Sequence, residues 1–198
     1  MLSKNDRFEM YKTYGVRIGM KNSNKLLDPF IFKRVPNKFV IFNIKSIDER
    51  INLGAKFLSK FKRKDILLVC TLDEAYYPVY NFVKLMNVSV NFGRYLAGSL
   101  TNLSYKNFFE PKVLFVTDPN SGRRAINDAR KNNLPIMAIV DTDSKLNYID
   151  FMIPGNNKKK ESLGTILFLL AHDMADEKEK QKLNSITFED FISKEINI

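Results

Sequence analysis

The chain is poor in the residues on which most small-site chemistry depends. Its 198 residues include one cysteine and one histidine. A lone cysteine excludes an intramolecular disulfide framework and fits a reducing, cytosolic-type compartment. Cys70 closes the apolar run Ile66-Leu67-Leu68-Val69 and reads as a small buried hydrophobe rather than a nucleophile, because His172 falls in a separate predicted helix. With a single histidine there is no Ser/His/Asp arrangement, and no His/Cys cluster has metal-ligand spacing. The eight glycines nowhere form a phosphate fingerprint after a strand, nor a P-loop. Long apolar runs are missing as well. The longest, Ile166 to Ala171, is far too short to span a bilayer, and Met1-Leu2-Ser3-Lys4-Asn5-Asp6-Arg7 is polar, so neither secretion nor membrane insertion is expected.

What the chain does have is positive charge, unevenly placed. The formal charge is +10. Up to Cys70 there are 16 Lys+Arg against 6 Asp+Glu, and the remainder holds 16 of each. The whole excess therefore sits in the first third. A solubility device would be spread evenly, so the asymmetry favours a polyanion partner, with nucleic acid ahead of a membrane surface. The plain alternative is a solvated basic face on a lysine-biased chain.

With 44% hydrophobic residues the chain can bury one sizeable core. Phe39 to Ile44 reads as a strand, after which Ser46 and Glu49 form a capping box for a helix with Ile47, Ile51, Ala55 and Leu58 on one side. Ile66 to Cys70 is the next strand. Pro78 then sits in the first turn of a helix striped by Val79, Phe82, Val83 and Met86. Strands are expected at Val88 to Phe92, Val113 to Val116, Ile136 to Val140 and Tyr148 to Ile153, with helices from Arg123 to Asn132 and from Ser162 to about Lys182. Alternation of this kind predicts an α/β fold, a three-layer α/β/α sandwich around a mostly parallel sheet of flavodoxin-like or Rossmann-like type. The expected division is a basic N-terminal arm with a short helix over 1–35, the sandwich over 36–182, and over 183–198 a charged tail that orders only against a partner.

Two loops carry candidate chemistry. Thr117-Asp118-Pro119 and Asp141-Thr142-Asp143 follow predicted parallel strands and should meet at their carboxyl edge. Carboxylates there resemble a receiver-like or Mg²⁺-dependent phosphate enzyme, in which a lysine neutralises the phosphate. The competing reading is that they organise their own turns. Downstream, Asn156 and Asn157 precede a helix start, where their amides, free backbone N–H groups and Lys158, Lys159 and Lys160 are placed to meet one anion.

Six ordered segments, "VRIGMKN", "FIFKRVPNKFVIFNIKSIDERINLGAKFL", "GRYLAGSLTN", "EPKVLFVTDPNSGRRAINDA", "LPIMAIVDTDSKLNYIDFMIPGNNKKKESLG" and "LLAHDMA", together resemble the ribosomal protein S-two (SA) family over roughly Tyr14 to Ala175. "DERINLGAKFLSKF" follows the archaeal pattern, and there is no room for the helical hairpin of bacterial members. Departures are Arg17 where histidine is usual, Ala97 where "GR-x-x-PG" has proline, Asn120-Ser121-Gly122 where "DPRAD" is common, and Gly155 to Lys159 where "PCNNKG" is common.

The resemblance implies an α/β/α sandwich without enzymatic activity, cofactor, small-molecule substrate or membrane contact. It implies a ribosome-bound cytoplasmic protein between head and body of the small subunit, touching small-subunit rRNA and neighbouring ribosomal proteins. Charge and motif position together nominate Arg17, Lys21, Lys25, Lys33, Arg34, Arg94, Lys158, Lys159 and Lys160 as phosphate contacts. Thr101, Asn102, Arg123, Arg124, Asn156 and Asn157 join them as further rRNA-binding candidates. The competing readings are the phosphate enzyme on the same sheet and a protein-interaction module that meets RNA only indirectly.

Overall fold

Ser3 opens the first helix by accepting a hydrogen bond from the Asp6 amide, while the Asp6 carboxylate accepts one from the Ser3 amide. The computed structural model describes residues 3–36, 39–106 and 108–196; Met1 and Leu2 of the polar N-terminus and the last two residues of the expected tail lie outside the described residues. In chain order the elements are α1 (Lys4–Thr13), β1 (Ile18–Gly19), β2 (Ile31–Arg34), β3 (Val40–Phe42), α2 (Ile44–Leu58), β4 (Ile66–Cys70), α3 (Tyr76–Met86) and β5 (Ser89–Phe92). They continue with β6 (Val113–Val116), α4 (Arg123–Lys131), β7 (Ile136–Val140), β8 (Phe151–Pro154), α5 (Lys160–Met174), α6 (Glu177–Asn184) and α7 (Phe188–Ser193).

The continuous apolar runs become the middle of a five-stranded sheet ordered β5-β4-β6-β7-β8, with every pairing parallel. All residues of β4, β6 and β7 are buried, as strands covered on both faces must be. Side chains alternate between two cores. Ile66, Leu68 and Cys70 face one that is filled by α2, α3 and α5, with α1, α6 and α7 packed around them. Leu67 and Val69 face the other, filled by Ala125, Ile126 and Ala129 of α4 and by Tyr95 and Leu100. This is the three-layer α/β/α sandwich, and its strand order is the flavodoxin-like one. Cys70 is buried and unbridged, and burial pushes its thiol up in pKa, which suits a core residue.

Four expectations need correction. The strand near Phe39 does not lead the parallel sheet. β3 is three residues long and lies between β1 and β2 in a separate antiparallel sheet. The basic segment before it carries the expected short helix, α1, and supplies β1 and β2 of this sheet. α2 starts after Asn43, whose side chain accepts from the Lys45 amide at 3.1 Å, three residues before the expected Ser46 cap. Tyr148 has φ 68°, a left-handed value no strand accommodates, so β8 begins only at Phe151.

The fourth correction concerns the C-terminal end. α5 stops at Met174, and Asp176 with Glu179 forms a capping box that starts α6. The expected tail is helical and packed. Leu183 and Phe191 are fully buried, and Asn81, itself buried, donates to the carbonyls of Phe191 at 2.9 Å and Lys194 at 2.8 Å while accepting from the Ile196 amide. One polar side chain thereby satisfies the backbone of the last turn.

Candidate nucleic-acid interface

In a sheet of this order, ligands ordinarily enter a crevice outside the carboxyl ends of β4 and β6. Here a hydrogen bond spans the crevice. The Thr71 and Ser121 hydroxyls are hydrogen-bonded across it, and the Thr117 hydroxyl is buried and donates to the Val69 carbonyl at 3.3 Å. Farther along the same edge the N-terminal segment lies as a strap. The Asn156 amide donates to the Val16 carbonyl at 2.9 Å, the Thr142 hydroxyl donates to the Met20 carbonyl at 3.1 Å, and the Asn24 amide donates to the Thr142 carbonyl at 2.9 Å. Gly19 is required for this approach. A Cβ there would stand 2.6 Å from Thr142 Cγ2 and 3.0 Å from an Asp141 carboxylate oxygen.

The acidic loops have internal work. Asp118 accepts from the Asn120 amide at 3.1 Å, the Ser121 hydroxyl at 2.7 Å and Asn157 Nδ2 at 3.3 Å. Asn120 in turn donates to the Asp143 carbonyl and accepts from the Lys145 amide at 3.0 Å. The departure from "DPRAD" is thus met by an amide and a hydroxyl that rebuild a network of their own. Lys158 Nζ lies 3.8 Å from Asp118 and 3.9 Å from Asp143, so the cationic loop neutralises the acidic ones. Among the described residues, no group of three or more His, Cys, Asp or Glu is arranged to hold a metal ion.

Asp141 is the buried member, with 1% of its surface exposed. Burial pushes its carboxyl up to about 6 from 3.8, against the Thr142 amide it accepts and with Asp143 adding to the rise. Between those two values the folded protein holds more protons than the unfolded chain, so stability falls as pH rises from about 4 to about 6 and then levels. Unfolding by urea at pH 4.5 and pH 7 measures this. Asp141→Asn is expected to remove about 2 kcal/mol of the decline. A variant whose pH dependence matches the wild type sinks this assignment.

The nominated cations mostly reach solvent near this edge or on the small sheet beside it. Lys21, Lys25, Lys33, Arg34, Arg94, Arg123, Arg124 and Lys159 are exposed, and Arg17, Lys158 and Lys160 are half-buried. Arg94 follows the end of β5, and Arg123 and Arg124 occupy the first turn of α4, where the helix dipole disfavours cations and welcomes an anion to offset them. Arg34 is partly committed to Asp28 and Ser23.

Two groups behave differently. Asn156 and Asn157 are 7% and 2% exposed and do not line an anion site. α5 begins at Lys160 with Lys159 at its cap, while Asn156 Oδ1 accepts from the Lys158 amide and Asn157 Nδ2 donates to Asp118 and to the Ile139 carbonyl. Thr101 and Asn102 are not brought to this edge. Thr101 lines an open cleft of about 840 Å³ with Pro111, Lys112, Leu134 and Pro135, at the amino ends of β6 and β7. What the sequence reading missed is a groove of about 410 Å³ between Asn22, Ser23 and Asn24 of the strap and Lys145 and Asn147. Its signal is weak, because the two sides lie some 120 residues apart in the chain.

A family model described as ribosomal protein S2 matches residues 104–176. The chain is 39% identical over 176 residues to a small ribosomal subunit protein uS2 from Pyrobaculum aerophilum, covering 88% of this chain and 85% of that one. It is 36% identical over 170 residues to the protein of the same name from Saccharolobus solfataricus, covering 86% and 74% of the two chains. To that of Nanoarchaeum equitans it is 37% identical over 164 residues, covering 83% and 82%. Identity of this level over nearly the whole length, together with the strapped parallel sheet, makes the chain a member of the ribosomal protein S2 family, of the archaeal type.

Proposed function

We propose that this protein is a structural constituent of the small ribosomal subunit, bound in the cytoplasmic ribosome at the head–body junction. There it contacts small-subunit rRNA and neighbouring ribosomal proteins. The observation that carries the proposal is the strap itself. It covers the carboxyl edge of the sheet beyond β7 and β8, beside the crevice that Thr71 and Ser121 span, and it presents Lys21 and Lys25 to solvent in the same stroke. Related chains bear the name of a small-subunit protein, which supports the same placement. For the phosphate-enzyme alternative, the crevice is spanned by the Thr71–Ser121 bond, and Lys158 is already paired with Asp118 and Asp143. Neighbouring proteins have a different surface available, the cleft at the opposite sheet edge, where Leu103 is 82% exposed.

Phosphate recognition through exposed lysines and arginines positions a protein without reading bases. Each neutralised phosphate adds roughly −0.7 to −0.9 to the slope of log affinity against log salt, so about four to six contacts give a slope near −3 to −5. The protein is therefore expected to co-sediment with small subunits and to bind their rRNA with that slope in filter assays. A slope near zero, or absence from the small-subunit peak, overturns the proposal.

A further inference from the structure

We propose that Phe32 is a base-stacking residue, placed to receive an unpaired base of single-stranded RNA against its ring. The proposal rests on the rRNA-binding reading and says which feature of the RNA the small sheet grips. In the pairing of β2 with β3, Ile31 stands opposite Phe42 and Lys33 opposite Ile41, so Phe32 is the extra residue of a β-bulge. A bulge breaks the alternation of a strand and re-aims the side chain it carries. The residue is 72% exposed, although Phe30 two positions before it and Phe42, the partner of Ile31, pack into the body of the protein. Among the described residues Phe32 takes part in no aromatic pair and sits under no cation of this chain.

The surroundings select the partner. Lys33 and Arg34 follow Phe32 directly and are exposed. Arg34 bonds to Ser23 and Asp28, which holds the segment carrying Lys25 and the 66%-exposed Leu26 beside the strand. Asp28, the acid of that segment, is neutralised by this contact. An exposed aromatic ring bordered by cations matches a nucleotide, which presents a π face next to a phosphate. A phenyl ring has no donor for a phosphate oxygen, so its own contribution is stacking. In an A-form duplex the base faces are covered by their neighbours, so the ring selects unpaired nucleotides.

The test uses the full chain and two probes: a single-stranded oligoadenylate of about twelve nucleotides carrying 2-aminopurine, within the usual footprint of such surfaces, and a duplex RNA of the same length. Phe32→Leu is expected to weaken single-strand binding about tenfold. It should abolish the 2-aminopurine quenching seen with the wild type, while leaving duplex affinity, salt slope and thermal unfolding unchanged. Phe32→Trp should restore quenching. Wild-type affinity and quenching in Phe32→Leu overturn the stacking role, as does an equal loss on both probes. Unaltered RNA binding by Phe32→Leu with lost co-sedimentation on small subunits assigns the ring to a protein neighbour and also overturns it. If the wild type binds neither probe at low salt, the rRNA reading itself falls and the proposal falls with it. Salt-sensitive binding that ignores Phe32 removes stacking alone.

Discussion

Exchanging Lys21, Lys25, Lys33 and Arg34 together for glutamine is expected to lower affinity for small-subunit rRNA by two to three orders of magnitude at about 0.15 M salt. Each released counterion contributes roughly 0.6 to 0.7 of a decade there, and four contacts are removed. The salt slope should flatten by about one unit per lost contact. Stability should change little, because all four side chains are exposed and surface substitutions usually stay within about 0.5 kcal/mol each. Arg34→Gln also releases Asp28, which adds a repulsive charge beside the RNA. Filter binding and thermal unfolding on the same sample separate the two effects. If the fourfold variant binds within threefold of the wild type with an unchanged slope, the charge excess of the first third is compositional.

The largest stability effect is expected at Arg7. Its guanidinium forks onto Asp173, with Nη1 at 2.7 Å and Nη2 at 2.9 Å, and Nε makes an ion contact with Asp48 at 2.7 Å that is too poorly aligned to be a hydrogen bond. Asp48 also accepts from the buried Tyr11 hydroxyl at 2.9 Å. These bonds pin α1 to α2 and α5. Burial by itself lowers the pKa of this guanidinium, and the paired carboxylates more than reverse that, so the charge stays. Arg7→Leu leaves two largely buried carboxylates facing each other without a cation, and about 3 kcal/mol of stability should be lost. Adding Asp48→Asn and Asp173→Asn should recover most of it. Urea midpoints of the single and triple variants decide the matter. Equal loss in both would assign Arg7 to packing rather than to charge pairing.

These two sites differ in how far they could be read from sequence. The lysines of the strap announce themselves as an excess of charge. Arg7 does not, because its partners lie 41 and 166 residues away and nothing local distinguishes it from other basic residues. The same division runs through the fold. β4, β6 and β7 were legible because strands covered on both faces are unbroken apolar runs, and α3 because its stripe is regular. β3 was legible as a strand but not in its partnership, since an apolar triplet carries no mark of which sheet it joins. The C-terminal helices were lost because Phe188 and Phe191 look isolated until Asn81, which bonds to the Phe191 carbonyl, and the bare surface of Gly164, against which Ile192 packs, are known.

The amide pair before α5 misled for a related reason. Asn156 and Asn157 have the composition of an anion site, yet burial turns both into scaffold. The acidic loops were correctly weighed as organisers of turns. Their coupling to Lys158 joins residues 40 and 15 positions apart, and no spacing rule reports it.

The strap also imposes an order of events during synthesis. Met20 and the Thr142 hydroxyl that ties it down are 122 residues apart, so at about 5–20 residues per second the strap waits roughly 6–24 seconds for its anchor to be made. Until then β1 and β2 can pair with β3, but the polycation they carry has no sheet edge to lie on. A nascent chain of this protein thus carries its basic segment undocked for that interval, and its beginning cannot close over the sheet edge until more than two thirds of the chain has been made.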